Sequence, residues 1–152
     1  MKKWLLLLCF CGLLFWKPFT ASDVARLKPV EVIRVSTFAG GVLVETDTGD
    51  TGIGKDINKA MADLKLTTDG DVFLDTVDSL LISPMAVSLL PELGAILRPG
   101  CNVCVEMGQV ELESVSAYLN MHEPGITLQD HRAGETALPV LYVLDGRMYL
   151  GK

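Results

Sequence analysis

TDTGDTGIGKDINKA, residues 46–60, is the stretch on which the fold class turns. From Gly49 it runs Gly-x-x-x-x-Gly-Lys and then Asp56, one residue short of a phosphate-binding P-loop. The context also imitates one. The apolar run Val42-Leu43-Val44 precedes it, a helical pattern follows, and Val72-Phe73-Leu74-Asp75 resembles a strand ending in a magnesium-binding Asp. The chemistry argues otherwise. The motif needs a hydroxyl after the Lys to hold the metal, and Asp56 places a carboxylate there instead. Asp47 and Asp50 add two more negative charges, which Lys55 alone does not offset against a triphosphate. A glycine-rich turn into a helix, capped by Thr51 or Asp56, is therefore expected, with no nucleotide bound.

Working outward, Val30–Val35 alternates as a strand. Phe38–Gly41 supplies a turn, and Val42–Thr46 returns as an antiparallel partner. On the other side, Ile57, Ala60, Met61 and Leu64 recur at i, i+3, i+4, i+7, one face of an amphipathic helix. Val72–Leu74 reads as a short buried strand and Leu80–Ile82 as another. Pro84 opens a helix that Pro91 and Gly94 interrupt, and Arg98-Pro99-Gly100 is a turn. Cys101–Glu106 reads as a strand. A helix with Val110, Leu112, Val115 and Leu119 follows, and then a short helical segment near Leu128. Leu138–Leu144 is a strand that Asp145-Gly146 turns back through Met148–Leu150. Strands and helices interleave, so the expected class is α+β (mixed α/β), a single domain with a partly antiparallel sheet.

The first residues read differently. Lys2 and Lys3, an uncharged apolar run of 13 residues from Trp4 to Trp16, and the small residues Thr20, Ala21 and Ser22 follow the order of a secretory signal peptide. The run is shorter than the roughly 18 residues of a spanning helix. Residues 1–22 are expected to be a signal peptide or N-terminal anchor and residues 23–152 the domain. The product is then exported, extracellular or held on the outer face of the cytoplasmic membrane. Leu8 and Phe10 precede Cys9 and Cys11 where acylation wants a small residue. Cleavage near Ser22 leaves about 130 residues, enough for one core. It removes three of the 13 basic side chains and none of the 19 acidic ones, so the net charge moves from −6 to −9. Such a surface repels phosphate backbones, which excludes nucleic acid as a partner.

Two groups remain for chemistry. Cys101-Asn102-Val103-Cys104 has redox spacing, and Pro139 before a strand matches the proline that faces such a pair in thioredoxin-like proteins. A reactive pair needs a helix N-terminus, whereas Val103 and Val105 alternate through this one as in a strand, where positions i and i+3 point to opposite faces. His122 and His131 do not lie at metal-ligand spacing from the cysteines. No catalytic, cofactor or metal set is assigned from the residues. A thioredoxin-like thiol oxidoreductase using Cys101 and Cys104 stands as the alternative.

The motif order resembles the N-terminal domain of the spore germination lipoproteins, the C subunits of germinant receptors. The matching features are the early antiparallel pair, Gly52-Ile-Gly before Ala60-Met-Ala-Asp-Leu64, and the apolar segments from Val72 to Ile82. The helix and link of Leu89–Arg98, the strand of Cys101–Gly108, and Gly134-Glu-Thr-Ala-Leu138-Pro139 complete the order. The resemblance implies a stand-alone, non-enzymatic relative of that domain, acting by contact with a protein partner at a membrane or spore envelope. No site residues carry over from it.

Overall fold

The computed structural model describes residues 26–151. The expected leader lies outside the described residues. Strands are β1 (Leu27–Pro29), β2 (Val32–Phe38), β3 (Gly41–Thr46), β4 (Thr51–Gly54), β5 (Asp71–Phe73), β6 (Ser79–Ile82), β7 (Asn102–Met107), β8 (Val140–Leu144) and β9 (Arg147–Gly151). The α-helices are α1 (Ile57–Thr67), α2 (Leu90–Ile96), α3 (Leu112–Met121) and α4 (Leu128–Arg132). Seven strands form the main sheet in the order β4-β3-β2-β6-β7-β8-β9. The four central strands β2, β6, β7 and β8 run parallel, and an antiparallel strand or hairpin closes each side. The fold is α+β in one domain, as the interleaved pattern predicts.

Both faces of the sheet carry a core. Ile33, Val35, Val42, Val44, Leu80, Ile82 and Val103 project to one side, where α1, α2 and Leu128 of α4 cover them. Val32, Leu81, Cys104 and Leu141 project to the other, under Val115 and Leu119 of α3. β6 is buried along its whole length because both its faces are covered, which is why it reads as an unbroken apolar run. The four residues of the α1 stripe, Ile57, Ala60, Met61 and Leu64, are all buried.

The glycine-rich stretch is a strand rather than a loop. β4 pairs with β3 in the register Val42↔Gly54 and Val44↔Gly52. Its glycines face α1. A Cβ at Gly52 would lie 2.6 Å from the Cβ and N of Leu64, and one at Gly54 would lie 2.6 Å from the carbonyl carbon of Lys59. Glycine is required here because helix and strand backbones touch. Asp56 is the cap: its Oδ1 accepts from the N–H of Lys59 at 2.9 Å. Lys55 and Asp75 are both exposed, and Asp75 sits in a 3₁₀ turn outside the main sheet.

Three further expectations are corrected. Val72–Leu74 is not a core strand: β5 is short, mostly exposed, and pairs in parallel only with β1. Pro91 does not interrupt a helix but lies in the first turn of α2, where its missing N–H has no partner to lose. Residues Pro84–Leu89 before it form a 3₁₀ helix. The strand expected over Val30–Val35 begins at Val32 and extends to Phe38.

The Asp145-Gly146 turn is as read. Both residues have left-handed backbone, φ 49° and 72°, and join β8 to β9 by a two-residue connection.

Candidate functional site

The cysteines come first. Cys101 precedes β7 and Cys104 lies within it, and both are free and buried. They occupy opposite sides of the sheet, Cys101 in the core under α2 and Cys104 in the core under α3. Burial pushes each thiol up to about 12, with Glu106 and Cys101 adding to the rise at Cys104. A thiol held that far above neutrality is a poor nucleophile. Pro139 lies beside Val105, whose N–H its carbonyl accepts at 2.8 Å. This geometry offers the thiol alternative neither a paired dithiol nor a helix start.

A constellation that the sequence does not announce lies on the α3 side of the sheet. Arg34 on β2 donates from Nε and Nη2 to the two carboxylate oxygens of Glu106 on β7, at 2.7 and 2.8 Å. This is a bidentate pair that reaches across β6. Nη1 lies 3.5 Å from Glu45, the cross-strand neighbour on β3, and Nη2 also donates to the carbonyl of Val110. Glu106 in turn accepts from the N–H of Val110 at 3.3 Å. One guanidinium and one carboxylate therefore bind three strands to the β7–α3 loop. The Glu106 side chain is only 6% exposed.

Around this pair runs an open trough. Two lobes of about 470 and 570 Å³ share Arg34, Glu45, Val110 and Glu111. Asp47, Asp50 and Glu113 line one lobe, and Ser36 and Ser83 the other. Asp47 Oδ2 accepts from the N–H of Glu31 at 3.1 Å, while its Oδ1 and the Oγ of Ser83 are buried without a partner. Burial holds the Asp47 carboxyl above its usual range. The trough favours cationic groups. Its one arginine is already engaged, and no set of three or more metal-ligating side chains occurs among the described residues. A further cleft of about 700 Å³ lies beside α4, lined by Gly125, Ala133 and Asp130. The Asp130 carboxylate there is committed to a capping box with Thr127, which holds its pKa low.

The far end of the sheet has a different character. Met107, Tyr142 and Tyr149 are register partners on β7, β8 and β9, so they form one row across three strands. The two tyrosine rings stack with centroids 5.7 Å apart. Met107 is 54% exposed and Leu144 58%, with Tyr142, Val143 and Tyr149 close to 40%. Among the described residues, five of the eleven exposed large apolar side chains lie in these three strands, and four of them, Met107, Tyr142, Leu144 and Tyr149, share one face. Such clustering, unlike scattered exposure, marks a contact surface.

The two sheet edges also differ. On β4 the main-chain groups of Thr51 and Ile53 point away from β3. Asp63 on α1 accepts the Ile53 N–H at 2.9 Å, and the Thr67 hydroxyl donates to the Thr51 carbonyl at 2.9 Å. α1 thus occupies that edge. Nothing among the described residues occupies the outer edge of β9.

Of the residues weighed from the sequence, Asp47, Gly49, Asp50 and Thr51 line the trough, whereas Cys101, Cys104, His122 and His131 enter neither it nor the exposed β7–β9 row. No family model matches the chain, and neither a curated protein nor a solved structure resembles it to a significant degree.

Proposed function

We propose that this is a non-enzymatic contact module of the cell envelope, exported by its leader, and that its β7–β9 end is the docking surface. The single observation that carries the reading is the row Met107–Tyr142–Tyr149 beside an uncovered edge strand. An exposed, stacked aromatic pair next to flexible Met and Leu side chains is the composition of an interface core rather than of a solvated face. The Arg34–Glu106 pair supports the same reading. Its polar groups are turned on each other and on the β7–α3 loop, so they serve shape.

The motif order that resembles the N-terminal domain of spore germination lipoproteins supplies the setting: a protein partner at the membrane or spore envelope. The test is genetic and local. Deleting the gene is expected to alter spore germination, and replacing it with a Tyr142→Ser, Tyr149→Ser variant that folds normally is expected to reproduce the deletion. Unaltered germination after deletion overturns the spore setting. Full rescue by the double variant overturns the docking surface.

A further inference from the structure

The edge of β9 has a specific hydrogen-bonding phase. In a two-residue hairpin the pair flanking the turn is hydrogen-bonded, and the pattern then alternates. Leu144 and Arg147 flank this turn, so Arg147, Tyr149 and Gly151 direct their N–H and C=O toward β8. Met148 and Leu150 direct theirs outward. Four main-chain groups are thus presented, placed symmetrically about Tyr149.

We infer that β9 pairs with β9 of a second copy of this chain, antiparallel, about a two-fold axis at Tyr149. The inference rests on the contact-module reading and names its partner. In this register Met148 faces Leu150 of the copy, and the two residues exchange both main-chain hydrogen bonds. The same happens on the other side of the axis, so all four outward groups of each chain are satisfied. Tyr149 meets its own counterpart as a non-hydrogen-bonded pair, the closer of the two cross-strand spacings, which extends the Tyr142–Tyr149 stack into a run of four rings. On the opposite face Met148 and Leu150, already packed on the α3 core, meet the same residues of the copy and lengthen that core.

Charge permits the register. The chain carries a net −6, so two copies repel over most of their surface. β9 contains no acidic residue and a single Arg, and Arg147 falls opposite Gly151 of the copy rather than against another cation. A five-residue edge buries an area at the small end of stable interfaces, below about 1,200 Å² in total. The pair is therefore concentration-dependent.

The test uses the full chain with Cys9→Ser and Cys11→Ser, because the remaining cysteines are buried. In this background Tyr149→Cys is expected to form a disulfide-linked dimer on mild oxidation, since a directly opposed pair lies about 4.5 Å apart between Cα atoms, within disulfide reach. Arg147→Cys, opposite a glycine, is expected to give none. Sedimentation of the unsubstituted chain is expected to show the mass double as concentration rises. Leu150→Pro removes one outward N–H without touching the β8 ladder and is expected to hold the protein at the single-copy mass with its circular dichroism unchanged. A single-copy mass up to the solubility limit, or equal cross-linking at positions 147 and 149, overturns the inference. If the protein is monomeric while Tyr142→Ser, Tyr149→Ser still abolishes function in the host, the copy is ruled out and the docking surface stands. If both tests fail, the surface itself is rejected.

Discussion

Adding one methyl group at Gly52 distinguishes a packing role for the glycines from a phosphate-binding one. A Cβ there would meet the backbone N and the Cβ of Leu64 at 2.6 Å and come closer still to the carbonyl oxygen of Ala60. These are helix atoms with no rotamer to change. Ordinary carbon contacts begin near 3.5 Å, so α1 must lift by roughly 1 Å. A gap of that size forfeits about a quarter to a half of the dispersion attraction beneath Ile57, Ala60, Met61 and Leu64, all now buried. Overpacking costs about 1–3 kcal/mol, and the upper end applies because the clash is with main chain. Gly52→Ala is therefore expected to cost about 3 kcal/mol, a large part of a typical domain's stability of about 5–15 kcal/mol. Urea unfolding followed by far-ultraviolet circular dichroism reads this as a lower midpoint at unchanged slope. Lys55→Ala, at an exposed position, is expected to change stability by less than about 0.5 kcal/mol. A Gly52→Ala protein as stable as wild type that had lost affinity for Mg-ATP would refute the packing argument and restore the P-loop reading.

Three other perturbations follow from the same structure. Glu106→Ala leaves the Arg34 guanidinium with no carboxylate but the 3.5 Å contact to Glu45, beside the Val110 carbonyl, and is expected to cost about 3 kcal/mol, against less than about 1 for Glu45→Ala; equal costs in urea unfolding would show that the pair is not the anchor. Asp56→Ala removes the cap of α1 and is expected to cost about 1 kcal/mol, recovered by Asp56→Ser; a thermal melt indifferent to both would place the cap elsewhere. The thiols give a pH signature. Between 9, their ordinary value, and about 12, the folded protein keeps protons that the unfolded chain releases, so stability falls as pH rises through that window. Replacing both Cys101 and Cys104 by Ala is expected to flatten that decline relative to wild type, and iodoacetamide at pH 8 to label these two thiols only after denaturation. Identical slopes with and without the thiols would contradict their burial.

What could be read from the residues was local. Ile57, Ala60, Met61 and Leu64 announce α1 because helical periodicity is a property of neighbours, and Asp145-Gly146 announces its hairpin because its backbone conformation is written in two residues. Val103 and Val105 likewise reveal that Cys101, just before β7, and Cys104, within it, lie on opposite faces. Pro91 was misleading because proline both breaks helices and begins them, and only the preceding 3₁₀ turn decides which. Val72-Phe73-Leu74 was misleading because apolar character does not say which sheet a strand joins. The parallel order β2-β6-β7-β8 and the Arg34–Glu106 pair, 72 positions apart, were not legible at all. Both depend on crossovers that bring distant strands together, and no short-range pattern encodes the partner of an Arg in an alternating strand. The β7–β9 surface was half legible: its strands were marked, but their exposure depends on where α3 and α4 stop.

The side chains of Asp63 and Thr67 have a consequence for assembly size. By seating themselves on the main-chain groups of Ile53 and Thr51, they leave the sheet with one receptive flank instead of two. A protein receptive on both flanks invites stacking into fibres of indefinite length, whereas one guarded on a single side can recruit one neighbour and then stops. Asp63→Ala with Thr67→Ala would leave those two main-chain groups without their side-chain partners while α1 still lies beside them, so the flank would be loosened rather than opened.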